Sequence, residues 1–168
     1  MEKQYAKRTY SIRRLWRKLL FHFATNMPFI KAEFRSKIHK LAGVNILNPK
    51  KTFIGRGVLF DDLYPEDITI EEGVFITSGC KILSHFIDPS WGDYNHMKRG
   101  KVHICKDVFI GMNVVIVKPV IIGEGSIIGA NSVIVKDITP FTIWGGNPAI
   151  QIKVRVIKYR ASDEKITN

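Results

Sequence analysis

Residues 104–138 read ICKDVFIGMNVVIVKPVIIGEGSIIGANSVIVKDI. An isoleucine returns at every sixth position of this stretch, in the series Ile104, Ile110, Ile116, Ile122, Ile128 and Ile134. A period of six matches neither the 3.6-residue period of an α-helix nor the alternation of a half-buried strand. It is typical of a parallel β-helix, in which each hexapeptide supplies one short strand and one turn.

A second periodic position supports the same fold. The residue four places after each isoleucine is small or β-branched: Val108, Val114, Val120, Ser126, Ser132 and Ile138. An earlier series, Ile70, Ile76 and Ile82, repeats the spacing. We expect the isoleucines to stack inside the coil, and we expect Gly111, Gly123 and Gly129 to relieve tight corners.

The composition predicts one globular domain in a reducing compartment. The 168 residues are 45% hydrophobic, which is enough for about one domain with its own core. Cys80 and Cys105 are too few for a disulfide framework, so we expect a cytoplasmic protein. No apolar run approaches the roughly 20 residues of a membrane span, and the basic start has no signal-peptide cleavage site.

The net charge of +11 is concentrated near the N-terminus. Residues 1–40 hold 11 of the 26 Lys and Arg residues but two of the 15 acidic residues, so the repeat region is nearly neutral. This distribution argues against a nucleic-acid-binding domain. It favours a local electrostatic role for the N-terminal arm.

The arm, residues 1–43, is predicted to contain two helices. Residues 11–24 place one apolar stripe between cations; the stripe is Ile12, Leu15, Trp16, Leu19, Leu20 and Phe23, and the cations are Arg13, Arg14, Arg17 and Lys18. A second helix over about residues 29–41 has Ile30, Phe34, Ile38 and Leu41 on one face. Two interpretations of the first helix remain open: it contacts an anionic membrane surface, or it caps the first coil.

Breaks in the period predict the limits of the domain. We expect a β-helix over residues 44–154 and a tail over residues 155–168. The period is interrupted at residues 61–67 and again, for longer, at residues 84–101. Insertions into a solenoid leave it as external loops, and loops on a rigid scaffold are where binding and chemistry concentrate.

Four motifs carry a resemblance to a known family: SHFIDP at residues 84–89, VFIG at 108–111, VKD at 135–137 and WGGNPA at 144–149. In this order and spacing, residues 44–154 resemble the hexapeptide-repeat O-acetyltransferases, of which galactoside and maltose acetyltransferases are examples. The basic arm looks more like members that serve polysaccharide assembly. The resemblance implies a left-handed, three-sided β-helix, a homotrimer, acetyl-coenzyme A as the donor and no metal.

His85 is the candidate catalytic residue. It lies where the periodic coil gives way to the long loop, and it matches the catalytic histidine of the family. Transfer of an acetyl group to a hydroxyl needs a base, and the pKa of histidine lies near neutral pH. The resemblance therefore implies that His85 removes the proton of the acceptor.

The resemblance also implies residues for the two substrates. Those expected at coenzyme A are Phe109, which stands where the family often has Trp, and Gly111, Met112, Ala130, Lys136 and Lys153. Those expected near the acceptor are Asp61, Asp62, Asp88 and Trp91. Asp88 either orients the His85 ring or forms a turn before Pro89.

Three functions remain open at this point. The first is an O-acetyltransferase that modifies a sugar hydroxyl in surface polysaccharide biosynthesis, in the cytoplasm or at the inner face of the membrane. The second is a serine or amino-sugar acetyltransferase on the same scaffold, and the third is a non-catalytic β-helix used for assembly. A metal hydratase fits poorly, because His85, His96 and His103 lack the spacing of a three-histidine zinc site.

Overall fold

Two helices precede sixteen short strands in the part of the chain that the computed structural model describes, residues 12–88, 90 and 97–156. The helices are α1 (Ile12–Asn26) and α2 (Ala32–Leu41). The strands are β1 (Asn45–Ile46), β2 (Phe53–Ile54), β3 (Leu59–Phe60), β4 (Ile68–Ile70), β5 (Phe75–Ile76), β6 (Lys81–Ile82), β7 (His85–Ile87), β8 (Met97–Arg99), β9 (Val102–Ile104), β10 (Phe109–Ile110), β11 (Val115–Ile116), β12 (Ile121–Ile122), β13 (Ile127–Ile128), β14 (Val133–Ile134), β15 (Thr142–Gly146) and β16 (Ala149–Val154).

Successive strands fall on three faces in turn, as a three-sided coil requires. The first face is β1, β4, β9 and β12, the second is β2, β5, β10, β13, β15 and β16, and the third is β3, β6, β11 and β14. Neighbours within a face are parallel, except that β16 folds back antiparallel on β15. The predicted left-handed parallel β-helix is confirmed.

The core is a set of stacked isoleucines with one inward position on each strand. Every member of the predicted series has no exposed surface: Ile104, Ile110, Ile116, Ile122, Ile128 and Ile134. The register pairs Ile110 with Ile76 below it and with Ile128 above it. Because a fully buried isoleucine contributes about 1.5–3 kcal/mol, the whole series stabilises the coil.

Residues with positive φ turn the corners, and the glycines expected there do something else. Gly79 (φ 78°) and Asn113 (φ 57°) lie one above the other on neighbouring coils, where the Asn113 amide donates to the Ser78 carbonyl at 3.0 Å. Gly111 has no positive φ, so the expectation that it relieves a tight corner is wrong. A Cβ on Gly111 would lie 2.6 Å from the backbone nitrogen of Ala130, so the glycine is needed because two coils approach closely.

Helix α1 caps the first coil. Phe21 and Ala24 are buried in this contact. The Gly57 amide donates to the Thr25 carbonyl at 3.0 Å, and the Thr25 hydroxyl donates to the Val58 carbonyl at 3.2 Å. Each end of a solenoid has to be covered, since the coil at that end has no neighbour on its outer side. The cap proposed for the arm is therefore present.

The apolar stripe of α1 nevertheless faces away from the coil. Five of its six residues are exposed: Ile12, Leu15, Trp16, Leu19 and Phe23. Helix α2 shows the same inversion, because its buried residues are Arg35, Ser36 and His39 whereas Phe34 and Leu41 are exposed. Neither described helix is long and apolar enough to cross a bilayer.

Arg35 is buried because it terminates α1. Its guanidinium donates from Nη1 to the Ala24 carbonyl at 2.6 Å and from Nη2 to the Met27 carbonyl at 2.8 Å. The last carbonyls of a helix have no partner within the helix. The guanidinium on α2 therefore supplies the hydrogen-bond donors that carbonyls at the end of α1 need, and this contact holds the two helices together.

His39 of α2 is buried as a neutral ring that contacts Phe21 of α1 and Phe60 of β3. Its centroid lies 5.7 Å from that of Phe21 and 4.8 Å from that of Phe60. Neither ring nitrogen has a hydrogen-bond partner within the described residues. Burial, and next the charge of Arg35, lowers the pKa of His39 to about 3, because both disfavour the imidazolium.

Acid is expected to destabilise the protein through His39. Between pH 6.5 and about pH 3 the unfolded chain carries a proton on this residue that the folded chain does not, so stability falls as pH falls. Between pH 6.5 and pH 4.5, the unfolding free energy of the unaltered protein should fall by roughly 2–3 kcal/mol more than that of His39→Leu. Urea titrations at several pH values measure this, with exposed His22→Leu as the control. Parallel profiles for the two variants would contradict the assignment.

Candidate active site

His85 leaves the coil at the start of a hairpin. It follows the corner after β6 and begins β7, which pairs antiparallel with β8 so that His85 lies opposite Arg99. Its side chain is 20% exposed. One edge of the ring is therefore held by the scaffold, and the other can meet a molecule from solvent.

Asp61 holds the His85 ring. Its carboxylate is fully buried, and Oδ2 contacts Nδ1 of His85. The same oxygen accepts hydrogen bonds from the Ser84 amide at 3.0 Å and from the Ser84 hydroxyl at 2.7 Å. The other oxygen accepts from the amides of Leu63 at 3.0 Å and Tyr64 at 3.3 Å. Donors thus surround the buried carboxylate.

These hydrogen bonds decide the charge on Asp61. Burial alone would raise the pKa of its carboxyl, but hydrogen bonds from Ser84 and His85 outweigh burial and lower the pKa below its usual value. An ionised carboxylate can only accept, so Nδ1 of His85 must carry the hydrogen between them. This leaves the lone pair of His85 on Nε2, the nitrogen needed for a general base.

Tyr64 and Arg99 complete the wall around the histidine. The Tyr64 ring meets the His85 ring edge-on with centroids 5.7 Å apart, and the Arg99 guanidinium lies 4.0 Å from the Tyr64 centroid. Arg99 in turn pairs with Asp67 and with Glu66, the latter at 3.2 Å. The sequence analysis missed both residues, since neither belongs to a periodic position or to a motif.

The other predicted acceptor residues lie apart from this pair. Asp88 contacts Lys98 and accepts a 2.7 Å hydrogen bond from the Ser90 hydroxyl, rather than contacting His85. Lys98 and Ser90 lower the pKa of Asp88 to about 2. Asp62 is exposed and pairs with Lys18 of α1 at 3.6 Å. Trp91 lies outside the described residues.

Four of the residues predicted to contact coenzyme A lie along the second face and its corner. Phe109 is 40% exposed and stacks on Phe75 with centroids 5.7 Å apart. Gly111 follows Phe109 on the same turn and is buried, whereas Met112 is 53% exposed. Ala130 is exposed on the next coil, where its amide lies against Gly111. Together these residues present open backbone and an aromatic face.

The two predicted cations lie near the end of the coil. The Lys136 ammonium lies 5.2 Å from the Trp144 ring centroid. Lys153 pairs with Ile143 across β15 and β16, one position from Trp144. Both lysines are exposed. Their ammonium groups are available to an anion from solvent, as point charges that suit phosphate.

Comparison with a protein-family model identifies the repeat. Residues 101–136 match the model described as bacterial transferase hexapeptide (six repeats). This segment has the repeat pattern that the model describes. It spans β9 to β14, the strands whose stacked isoleucines form the upper core.

One curated protein is similar to part of this chain. A probable macrolide acetyltransferase of Lysinibacillus sphaericus is 52% identical over 68 residues, which cover 40% of this chain and 35% of that protein. The match therefore spans about a third of the relative's length.

Two solved structures share the fold. A maltose O-acetyltransferase from Clostridium difficile 630 superposes with a TM-score of 0.65, covering 86% of this chain and 87% of that one at 22% identity. A hexapeptide-repeat acetyltransferase from Vibrio cholerae O1 biovar eltor, solved with acetyl-coenzyme A, gives a TM-score of 0.63 at 20% identity and covers 86% and 88% of the two chains.

Proposed function

We propose that this chain is an acetyl-coenzyme A-dependent O-acetyltransferase. The observation that carries the proposal is the His85–Asp61 pair, in which a buried, ionised carboxylate fixes the tautomer of a histidine at the edge of the coil. The hexapeptide match and the names of the relatives support the same reaction class.

The proposed reaction needs one base and no covalent enzyme intermediate. Nε2 of His85 removes the proton of the acceptor hydroxyl as its oxygen attacks the thioester carbonyl carbon. The tetrahedral intermediate collapses, the carbon–sulfur bond breaks, and the imidazolium returns its proton to the coenzyme A thiolate. Asp61 stabilises the imidazolium between these steps and keeps the ring oriented.

Coenzyme A is proposed to lie along the second face. Phe109, Gly111, Met112 and Ala130 would contact the pantetheine arm, which needs open backbone and apolar contact. Lys136 and Lys153 would meet the phosphate end. The outward ladder Phe53–Phe75–Phe109 remains partly exposed in one chain, which supports a homotrimer whose neighbouring chains enclose the donor.

The acceptor is proposed to be a sugar hydroxyl of a surface-polysaccharide precursor. The fold shared with a maltose O-acetyltransferase supports a sugar. Asp62, Asp88 and Trp91 are the residues proposed to contact it. A second candidate is a macrolide hydroxyl, favoured by the 52% identical segment of the macrolide acetyltransferase. A screen of both acceptor classes with acetyl-coenzyme A separates them.

The arm is proposed to hold the protein at the inner face of an anionic membrane. The exposed stripe of α1 includes Trp16 at 63% and Leu19 at 52% exposure. Trp16 of α1 and Leu41 of α2 line one groove of about 610 Å³, together with Arg14 and Arg17 of α1. Apolar side chains beside cations suit a helix that lies in the headgroup region, where membrane-linked glycan precursors would be within reach.

The first functional test is directed at the base. His85→Ala should lower kcat by about 10²–10⁴-fold, the usual contribution of a general base, while coenzyme A still binds. Asp61→Asn keeps the shape of the carboxylate but not its charge, so kcat should fall with little change in KM. Exposed His22→Ala is the control. Turnover of His85→Ala close to that of the unaltered protein would refute the assignment, and absence of coenzyme A binding in the unaltered protein would favour a non-catalytic β-helix.

The second test concerns the two lysines. Lys136→Glu and Lys153→Glu should each raise KM for acetyl-coenzyme A more than KM for the acceptor, because a carboxylate would repel the phosphates. The difference should shrink at high salt, since exposed charges are screened. Lys50→Glu, in the short helix Pro49–Lys51, is the control. An unchanged donor KM in both variants rules out this placement of the phosphates.

The third test separates a membrane surface from a simple cap. The protein should sediment with anionic vesicles at low salt and much less with neutral ones, because each cation near an anionic surface contributes about 1 kcal/mol. The double variant Trp16→Ser, Leu19→Ser should lose this binding. The matched control is Ile150→Ser, Ile152→Ser, which alters equally exposed residues of β16. Equal sedimentation of all three proteins would leave the arm as a cap.

A further inference from the structure

Glu71, His103 and Cys105 bring three different metal-binding groups to one point on the outside of the coil. One carboxylate oxygen, one ring nitrogen and the thiol sulfur all lie within 4.8 Å of one another, and each residue is half-buried. We propose that these three side chains bind a divalent transition-metal ion of the zinc type. The resemblance described above implied no metal, and the sequence analysis considered only histidines as possible zinc ligands.

The strand register builds this cluster. β4 and β9 are adjacent on the first face, with Ile70 paired to Ile104 and Thr69 paired to His103. Glu71 and Cys105 each follow the paired isoleucines, so they occupy equivalent positions on neighbouring coils. Adjacent strands lie about 4.8 Å apart, which places the carboxylate, the thiol and the imidazole within reach of a single ion.

Existing hydrogen bonds already orient two of the ligands. Nε2 of His103 lies 2.7 Å from Oε1 of Glu71, and the other carboxylate oxygen accepts from the Lys106 amide at 2.9 Å. A zinc ion lies about 2.0–2.2 Å from such ligand atoms, so the nitrogen and the oxygen would move apart as the ion takes the place of their shared hydrogen. The Lys106 amide would then act as the outer contact that fixes a ligating carboxylate.

Cys105 makes zinc the best match among common cations. Thiolate with imidazole and carboxylate is a zinc-type donor set, whereas calcium and magnesium require oxygen ligands. Burial, and next the charges of Glu71 and Glu124, raises the pKa of the Cys105 thiol. A metal ion bound to Cys105 would take the place of the thiol proton.

The site would join, on the first face, the two coils that the external loop separates in sequence. Ile70 pairs with Ile104, which is 34 residues later, whereas Ile104 pairs with Ile122, which is 18 residues later. The hairpin that begins with His85 emerges within that longer stretch. A metal at Glu71 and His103 would therefore hold the coils together on either side of the insertion. It lies at the corner between the first and second faces, whereas His85 follows the third.

Zinc binding to the untagged full-length chain tests the proposal independently of any transferase activity. In competition with a chromophoric chelator, we expect one zinc per chain. Cys105→Ser, His103→Ala and Glu71→Gln should each weaken binding by about 100-fold or more, since even outer contacts to a metal ligand are worth 10–100-fold. His22→Ala and His85→Ala are the controls and should bind as the unaltered chain does.

Cobalt(II) gives a second readout that depends on the ligands themselves. The cobalt-loaded protein should show a thiolate-to-metal charge-transfer band that disappears in Cys105→Ser. It should also show a higher melting temperature than the metal-free chain, because a ligand that binds only the folded state stabilises it. Absence of saturable zinc binding would overturn the proposal, as would a charge-transfer band that persists in Cys105→Ser or zinc binding that His85→Ala abolishes.

Discussion

The stacking of one isoleucine on another, coil after coil, is the contact on which the rest of this molecule depends. Each strand from β1 to β14 is only two or three residues long, so none of these strands is stable by itself. Parallel pairing places identical side chains directly above each other, and the buried series then acts as one continuous core. The position of every outward side chain follows from this register.

The candidate site uses that register and departs from it at one point. The coil positions Asp61 and Ser84 on adjacent layers, because Phe60 pairs with Ile82. The insertion after Ile82 then turns His85 towards the buried carboxylate. A charge at a fully buried position would ordinarily be costly, but the donors around Asp61 offset the loss of water. A rigid scaffold, a buried anion and a departing loop together define one imidazole orientation.

The period of six was enough to predict the coil, its inward residues and the presence of external loops. It could not predict the Asp61–His85 contact, since that contact depends on where an aperiodic segment crosses a neighbouring coil. Asp88 stands closer to His85 in sequence, yet Lys98 and Ser90 hold it elsewhere. Both predicted helices are present, but the side of each that packs inward could not be predicted, for a related reason. An apolar stripe predicts which side of a helix avoids water, but Arg35 and Thr25 provide hydrogen bonds that dock the polar side instead.

The contact between α1 and the coil has a geometric consequence. Arg17 of α1 pairs with Glu66 at 3.1 Å, Glu66 pairs with Arg99, and Arg99 lies opposite His85 in the hairpin. Arg17 also donates to the Ala42 carbonyl. A chain of ion pairs and one strand pairing thus link the helix to the histidine. If a flat surface received α1, the hydroxyls within reach of His85 would be those that stand at the distance set by these contacts.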